Sequence, residues 1–410
     1  MAPTETLDPS HRPRLRPTLA AEPADNGVRI FDPQRVGQPL QLTQLGLEMV
    51  RRFDGVNTLR DVQAAIAKLS RHLVPFEIFS SLIAALDDAW LLDSPRFAER
   101  IGGPVRRPTC IGCYDADPIK MREQFRQLFT APGGPGVPEI GREGAVRSPH
   151  GKLRAALLPH MDYARGNITY GWGFKELVEQ TDATVFVIVA TSHYSHHRFT
   201  LTRQHFETPL GIVETDQNYI DHIVREFGNG LFDDPLAHIP EHSIELEVVL
   251  LQFLLERRRP FKIVPLLCGS FGDCVHQGSS PAKARDIGKM IAALKAAEAK
   301  CPESVCYLIS GDLAHIGPKF GDTAKAAGPW LEASRLQDNA ILAEIAKADP
   351  ASYFDVIAAE GDARRICGLP PTYVALEAIR PRTGRVLHYQ QFVHPEGHES
   401  VSFAAAAFYE

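Results

Sequence analysis

Four short runs, Leu153–Leu158, Thr184–Ala190, Lys262–Leu267 and Val305–Ile309, are dense in Val, Ile and Leu along their whole length rather than on alternate positions. A strand that is apolar on both faces has to be covered on both faces, which is the condition of a largely parallel sheet between helical layers. Each run is followed by a loop and usually by a stretch of helical periodicity, so residues from about 104 to 410 are expected to form one α/β sandwich with a central sheet. The last two strands of that sheet are expected at Leu387–Phe392 and Val401–Phe408.

With 410 residues the chain exceeds what one hydrophobic core usually fills, and a second domain is expected ahead of the sandwich. Residues 1–27 carry Pro3, Pro9, Pro13, Pro17 and Pro23 among few large apolar groups, the pattern of a disordered tail. From there to residue 98 the apolar positions recur at helical spacing in three groups: Leu45, Met49 and Phe53; Leu59, Val62, Ile66 and Leu69; Phe76, Phe79, Ile83 and Leu86. Asp54-Gly55 ends the first helix, Thr58 caps the second, and Pro75 marks the start of the third. Trp90-Leu91-Leu92 reads as a short extended element. A further helix is expected at about Ile119 to Phe129, then a long Pro/Gly-rich surface loop over Thr130–Pro138.

In α/β sheets, ligands gather outside the carboxyl ends of the strands, so the polar residues there are the candidates for function. The first strand ends in Pro159-His160-Met161-Asp162-Tyr163, the second in Thr191-Ser192-His193-Tyr194, and the last in Ser310-Gly311-Asp312-Leu313-Ala314-His315. A fourth group, Glu241-His242-Ser243, opens a helix running to about Glu256. Four separated segments thus offer imidazoles, which bind iron, copper or zinc when neutral and exchange protons near pH 7. The adjacent His196 and His197 fall outside this set. Cys110-Ile111-Gly112-Cys113 has no second pair at zinc-finger spacing, so no structural zinc site is expected from it.

These segments, with Phe206-Glu207-Thr208-Pro209-Leu210-Gly211 and Pro240-Glu241-His242-Ser243-Ile244-Glu245, form an ordered set that resembles the signature of the Memo family. The resemblance runs from Arg107-Pro108 through Cys367-Gly368 to the final strands. Bacterial members of that family are called AmmeMemoRadiSam system protein B, and its fold is similar to that of class III extradiol dioxygenases, which use non-haem Fe(II). Members have been treated both as redox-active iron or copper proteins and as non-enzymatic binding proteins. The resemblance implies that His160 and His193 are metal ligands and His242 a pocket histidine.

Where animal members have a cysteine ligand, this chain has Ala314, so the third position falls to His242, Asp312, His315 or water. Loss of the sulfur favours iron over copper. Asp162 replaces a usual glycine and is expected to support a histidine from behind, with Tyr163 and Glu241 completing the surroundings. For Glu245 the alternative is simple solvation of the surface. His315 and Asp312 are the expected proton-transfer groups.

Gln41–Gly46, Phe53-Asp54-Gly55 and Ala85–Leu92 resemble PqqD-like winged-helix domains, which recognise leader peptides. Two roles are therefore open for 28–98: peptide docking, with a precursor peptide or a radical-SAM system protein as partner, or that of a purely structural accessory domain. Residues 1–100 hold 12 Lys and Arg against 13 Asp and Glu, which leaves no basic stripe for a nucleic acid. The net charge of −6 likewise offers nothing to phosphate or anionic lipid. Seven scattered cysteines do not look like a secreted disulfide framework, residues 1–26 lack the apolar core of a secretory signal, and the protein is expected in the cytoplasm. The function expected is that of a metal-dependent oxygenase or oxidase acting on a small aromatic or peptide-derived substrate; the alternative is a metal- or ligand-binding protein without turnover.

Overall fold

The computed structural model describes residues 8–25, 27–139 and 149–410. The chain divides into two compact units between Gly103 and Pro104.

In the first unit β1 (Ala20–Ala24), β2 (Gly27–Phe31) and β3 (Leu40–Leu42) form an antiparallel sheet in that order. Four helices follow: α1 (Gln44–Val50), α2 (Leu59–Ser70), α3 (Phe76–Asp88) and α4 (Pro95–Gly102). Thr43 caps α1, and Thr58 forms a reciprocal capping box with Asp61 on α2. Met49, Phe53, Leu59, Val62, Ile66, Phe79, Ile83 and Leu86 meet Ile30 and Leu42 in one core.

The expected disordered tail does not hold over residues 8–25. They supply β1, a bridge between Leu15 and Leu92, and a buried ion pair of Arg16 with Asp32 at 2.8 Å. Pro23 does not preclude a strand because β1 is an edge strand, where a missing N–H can face away from the ladder. Residues 1–7 lie outside the described part. The extended element expected at Trp90–Leu92 is only the bridge at Leu92, entered through a left-handed turn at Trp90 (φ 59°).

The second unit contains β4 (Val105–Arg106), β5 (Leu153–Leu158), β6 (Val185–Thr191), β7 (Phe199–Leu201), β8 (His205–Thr208) and β9 (Gly211–Val213). Then come β10 (Lys262–Cys268), β11 (Val305–Ser310), β12 (His315–Ile316), β13 (Thr383–Val393) and β14 (Ser400–Tyr409). The four strands read from the sequence lie side by side and parallel in the order β5-β11-β6-β10. Antiparallel β14 borders β5 and carries β13 on its other side, β12 pairs with the start of β14, and β7 closes the far edge. Strands β4, β8 and β9 make a separate small sheet.

Successive residues of each parallel strand point into different helical layers. Ala155, Leu157, Val185, Val187 and Val189 pack with helices α7 (Gln217–Phe227), α9 (Gly272–Gln277), α10 (Arg285–Lys300), α11 (Gly328–Lys347), α12 (Pro350–Ala359) and α13 (Leu369–Ile379). Ala156, Leu158, Phe186, Ile188 and Ala190 pack with α5 (Pro118–Thr130), α6 (Tyr163–Gln180) and α8 (His242–Leu255). The Pro/Gly-rich segment after α5 is fastened to α6, where Trp172 Nε1 donates to Gly133 O at 3.0 Å and Lys175 Nζ to Pro135 O at 3.1 Å. Among the described residues no helix is long and apolar enough to cross a membrane.

Candidate metal centre

Because β5, β11 and β6 are parallel neighbours, their carboxyl ends open on one side of the sheet. His160 lies two residues past β5, Asp312 two past β11 and His193 two past β6. The amino end of α8 arrives at the same place with Glu241 as its cap and His242 as its first residue. Ring centroids are 5.1 Å apart for His160 and His193, 5.3 Å for His160 and His242, and 4.7 Å for His193 and His242.

The hydrogen bonds decide which nitrogen of each ring is free. Glu241 accepts from the His193 backbone N–H at 2.7 Å and from its Nδ1–H at 2.9 Å, leaving Nε2 as the lone-pair nitrogen. The Ser310 hydroxyl donates its one proton to Ser243 O at 2.6 Å, so toward His160 Nδ1, 3.3 Å away, it is an acceptor; His160 Nε2 is then also free. In His315, Nδ1 faces only carbonyls, those of Leu313 and Arg365, each at 3.1 Å, which again frees Nε2.

Charges follow the burial. Burial and the neighbouring His193 charge push both His160 and His242 down to about 3, so both are neutral at physiological pH. Burial would also lower His193, but the Glu241 carboxylate outweighs it and holds His193 above the usual histidine value. Burial alone would raise Glu241; the charge and hydrogen bonds of His193 hold it well below the carboxylate range instead. Asp312 is raised by burial to about 6.

A second trio shares His160. Cys367, from the loop ahead of α13, places Sγ 3.3 Å from His160 Nε2, and Asp312 Oδ2 lies 3.7 Å from the same nitrogen. In both trios, His160–His193–His242 and His160–Asp312–Cys367, the donor atoms lie within 4.8 Å of one another. Neutral His160 and His242 beside His193, which Glu241 holds from behind and which gives up its proton to a bound ion, suit a transition metal. Beside them is a cavity of about 310 Å³ lined by His193, Phe271, Arg365, Ile366, Cys367 and Pro370 among others.

Other expected residues lie elsewhere. Asp162 bonds no histidine: its carboxylate caps α6 through Arg165 N at 3.1 Å and pairs with the Arg165 guanidinium. Tyr163 is buried behind the site and donates to Leu246 O. Glu245 does not solvate the surface. It is buried, paired with Arg106, and accepts from Tyr114 OH and from the backbone N–H groups of Thr109 and Cys110. Ala314 is tied to β14 by exchange with Ser402.

Two participants were missed. Arg106 donates to the carbonyls of His238, Ile239 and Glu241 at 2.6, 3.1 and 2.9 Å, and so holds the segment that presents Glu241 and His242. Cys367 entered the sequence reading only as part of the Cys367-Gly368 stretch of the resemblance, with no role given to it; its placement follows from contact between two glycines. A Cβ on Gly311 would stand 2.5 Å from Gly368 Cα, and one on Gly368 would stand 2.7 Å from Asp312 O. Only glycine at both positions lets the Asp312 and Cys367 loops touch.

A family model described as "Memo-like protein" matches residues 106–409. A "MEMO1 family protein" of Aquifex aeolicus is 25% identical over 411 residues, covering 97% of this chain and 100% of its own. That alignment therefore includes the first unit. One from Methanothermobacter thermautotrophicus is 28% identical over 280 residues, 67% of this chain and 88% of its own. One from Thermus thermophilus is 25% identical over 341 residues, 81% of this chain and 93% of its own.

Proposed function

The chain belongs to the Memo family, and on that premise we propose that it is a mononuclear non-haem metal protein, with iron as the ion, acting as an oxygenase or oxidase. The observation that carries this reading is the convergence of His160, His193 and His242, each with a ring nitrogen within 4.8 Å of the others', with Glu241 behind His193. Bound iron would supply Lewis acidity and open positions for dioxygen and substrate.

The chain's own residues do the rest. Glu241 orients His193, Ser310 orients His160, and His315 accepts or donates a proton at Nε2 because its Nδ1 is occupied by carbonyls. Phe271, Ile366 and Pro370 give the adjoining cavity apolar walls, and Arg365 gives it a cation. Its volume of about 310 Å³ is roughly twice the ~150 Å³ that admits benzene, the scale of a small substituted aromatic or a peptide side chain. The first unit, PqqD-like in its motifs, would deliver a peptide, and we place the protein in the cytoplasm.

The competing reading, a metal or ligand binder without turnover, draws on Ala314, which offers no donor where animal members have one. Anaerobic purification, metal analysis and an oxygen-uptake assay of the wild type and His160→Ala test the two. Stoichiometric iron with uptake lost in the variant supports the enzyme. Iron without uptake under any reductant and substrate supports the binder, and a wild type that takes up no transition metal overturns both the iron assignment and the oxygenase or oxidase mechanism.

A further inference from the structure

We infer that Cys367 is a thiolate ligand of this ion, binding it together with His160, with Asp312 as an oxygen donor. The inference rests on the reading of the pocket as a metal centre and says which loop supplies its sulfur.

Distance is the first argument. An ion about 2.0–2.1 Å from nitrogen and about 2.3 Å from sulfur, with roughly 100–110° between the bonds, separates the two donors by about 3.3–3.6 Å. Cys367 Sγ stands 3.3 Å from His160 Nε2. Asp312 completes the trio with Oδ2 at 3.7 Å from the same nitrogen. The nitrogen–sulfur separation already matches ligation, and the ligand atoms of all three residues lie within 4.8 Å of one another.

The loop is also built to hold the sulfur in place. Asp312 N–H is directed at Sγ at 3.3 Å, Gly368 N–H donates to Asp312 O at 2.8 Å, and Thr191 Oγ1 donates to Cys367 O at 2.8 Å. Before an ion binds, burial and the neighbouring Asp312 keep Cys367 a thiol, and the backbone N–H aimed at sulfur supports the thiolate once an ion is bound. His193 and Cys367 line the same cavity, so an ion here remains reachable from it. A sulfur donor is thus supplied from a segment more than fifty residues beyond Ala314, and with it the choice of iron over copper no longer rests on a missing sulfur and is left to metal analysis.

A Cys–His nucleophile pair is the other chemistry such a contact suggests, and the geometry opposes it. That arrangement commonly has a carboxylate or carboxamide on the far nitrogen of the imidazole to orient it as a base. Here the far nitrogen, Nδ1, meets the Ser310 hydroxyl, while Asp312 sits on the same side as the thiol. The carboxylate and the sulfur converge on one nitrogen, as donors around an ion do.

Ligation converts the thiol to a thiolate and releases one proton to solvent per ion bound. The test is anaerobic titration of the full chain with Co²⁺, followed by absorption. The wild type is expected to bind one ion and show a thiolate-to-cobalt charge-transfer band in the near ultraviolet. Cys367→Ser should lose the band and bind Co²⁺ about 10- to 100-fold more weakly, with the metal-free protein melting as the wild type does. Cys268→Ser, at a buried cysteine on the same cavity, should keep the band. Stoichiometric binding without the band in the wild type, or a band that survives Cys367→Ser, overturns this inference and leaves the metal centre standing. A wild type that binds no Co²⁺ overturns both.

Discussion

The Glu241 carboxylate accepts both the backbone N–H and the imidazole Nδ1–H of His193, at 2.7 and 2.9 Å. The same group caps α8 through the N–H groups of His242 and Ser243, at 3.0 and 3.2 Å. One side chain therefore ties the end of β6 to the start of α8 and fixes which nitrogen His193 offers.

Replacing Glu241 by Gln keeps an acceptor but removes the charge. Affinity for a divalent ion should fall about 10- to 100-fold, read by competition against a chelator. The metal-free protein should also lose stability in a pH-dependent way. Glu241 is held below its unfolded value, so its contribution is present above about pH 4.5 and is lost as pH falls further. His193 is held above its own, so its contribution is complete below about pH 6.5 and is lost as pH rises through the folded value. The gap between wild type and Glu241→Gln in thermal unfolding should be widest between about pH 4.5 and 6.5; a gap that grows steadily to pH 9 would contradict the pairing.

Glu247 gives the opposite sign. It is fully buried on α8, neither oxygen has a committed hydrogen-bond donor, and the one group that lowers it, the Ser310 hydroxyl, already gives its proton to Ser243 O. Burial raises it well above the usual carboxylate range. The folded state keeps a proton that the unfolded chain gives up near pH 4.5, so this residue costs stability increasingly as pH rises above that value. Glu247→Leu should therefore stabilise the protein at pH 8 and gain much less at pH 5, as read from melting temperatures at the two pH values.

The Gly311–Gly368 contact predicts a steric failure. In Gly311→Ala the new methyl would meet backbone at 2.5 Å, which cannot swing aside as a side chain can. A loss of about 1–3 kcal/mol by denaturant titration is expected, the usual cost of overpacking, together with weakened Co²⁺ binding. By contrast Gly278→Ala, at an open helix end with φ 59° and nothing within 4 Å, should leave metal binding intact while paying only the left-handed backbone cost.

How much of this was readable beforehand depends on how local each signal was. The parallel strands were legible because residues such as Val185–Ala190 are buried on both faces and carry that burial as an uninterrupted apolar run. His160, His193, Glu241 and His242 were legible as residues at element ends. Cys367 and Arg106 were not, since each acts through partners far along the chain: Arg106 through carbonyls more than 130 residues away, Cys367 through a contact between glycines. Asp162 was misplaced because a carboxylate beside a histidine in sequence also stands at the start of α6, where capping claims it first. Glu245 was misjudged because helical spacing from Glu241 does not reveal that the segment 106–114 covers it.

That covering segment supplies the last prediction. Arg106 and Glu245 are both buried and form an ion pair, while Arg106 also holds the carbonyls that precede His242. Arg106→Met strands the Glu245 charge and should cost about 3–5 kcal/mol in denaturant unfolding. Adding Glu245→Gln removes the stranded charge but keeps an oxygen for Thr109 N–H, Cys110 N–H and Tyr114 OH. The double variant should therefore be more stable than Arg106→Met alone while remaining below the wild type. Neither should regain full Co²⁺ affinity, because the carbonyls of His238, Ile239 and Glu241 have still lost their common donor. A double variant no more stable than the single one would mean that Arg106 matters through those carbonyls rather than through the charge of Glu245.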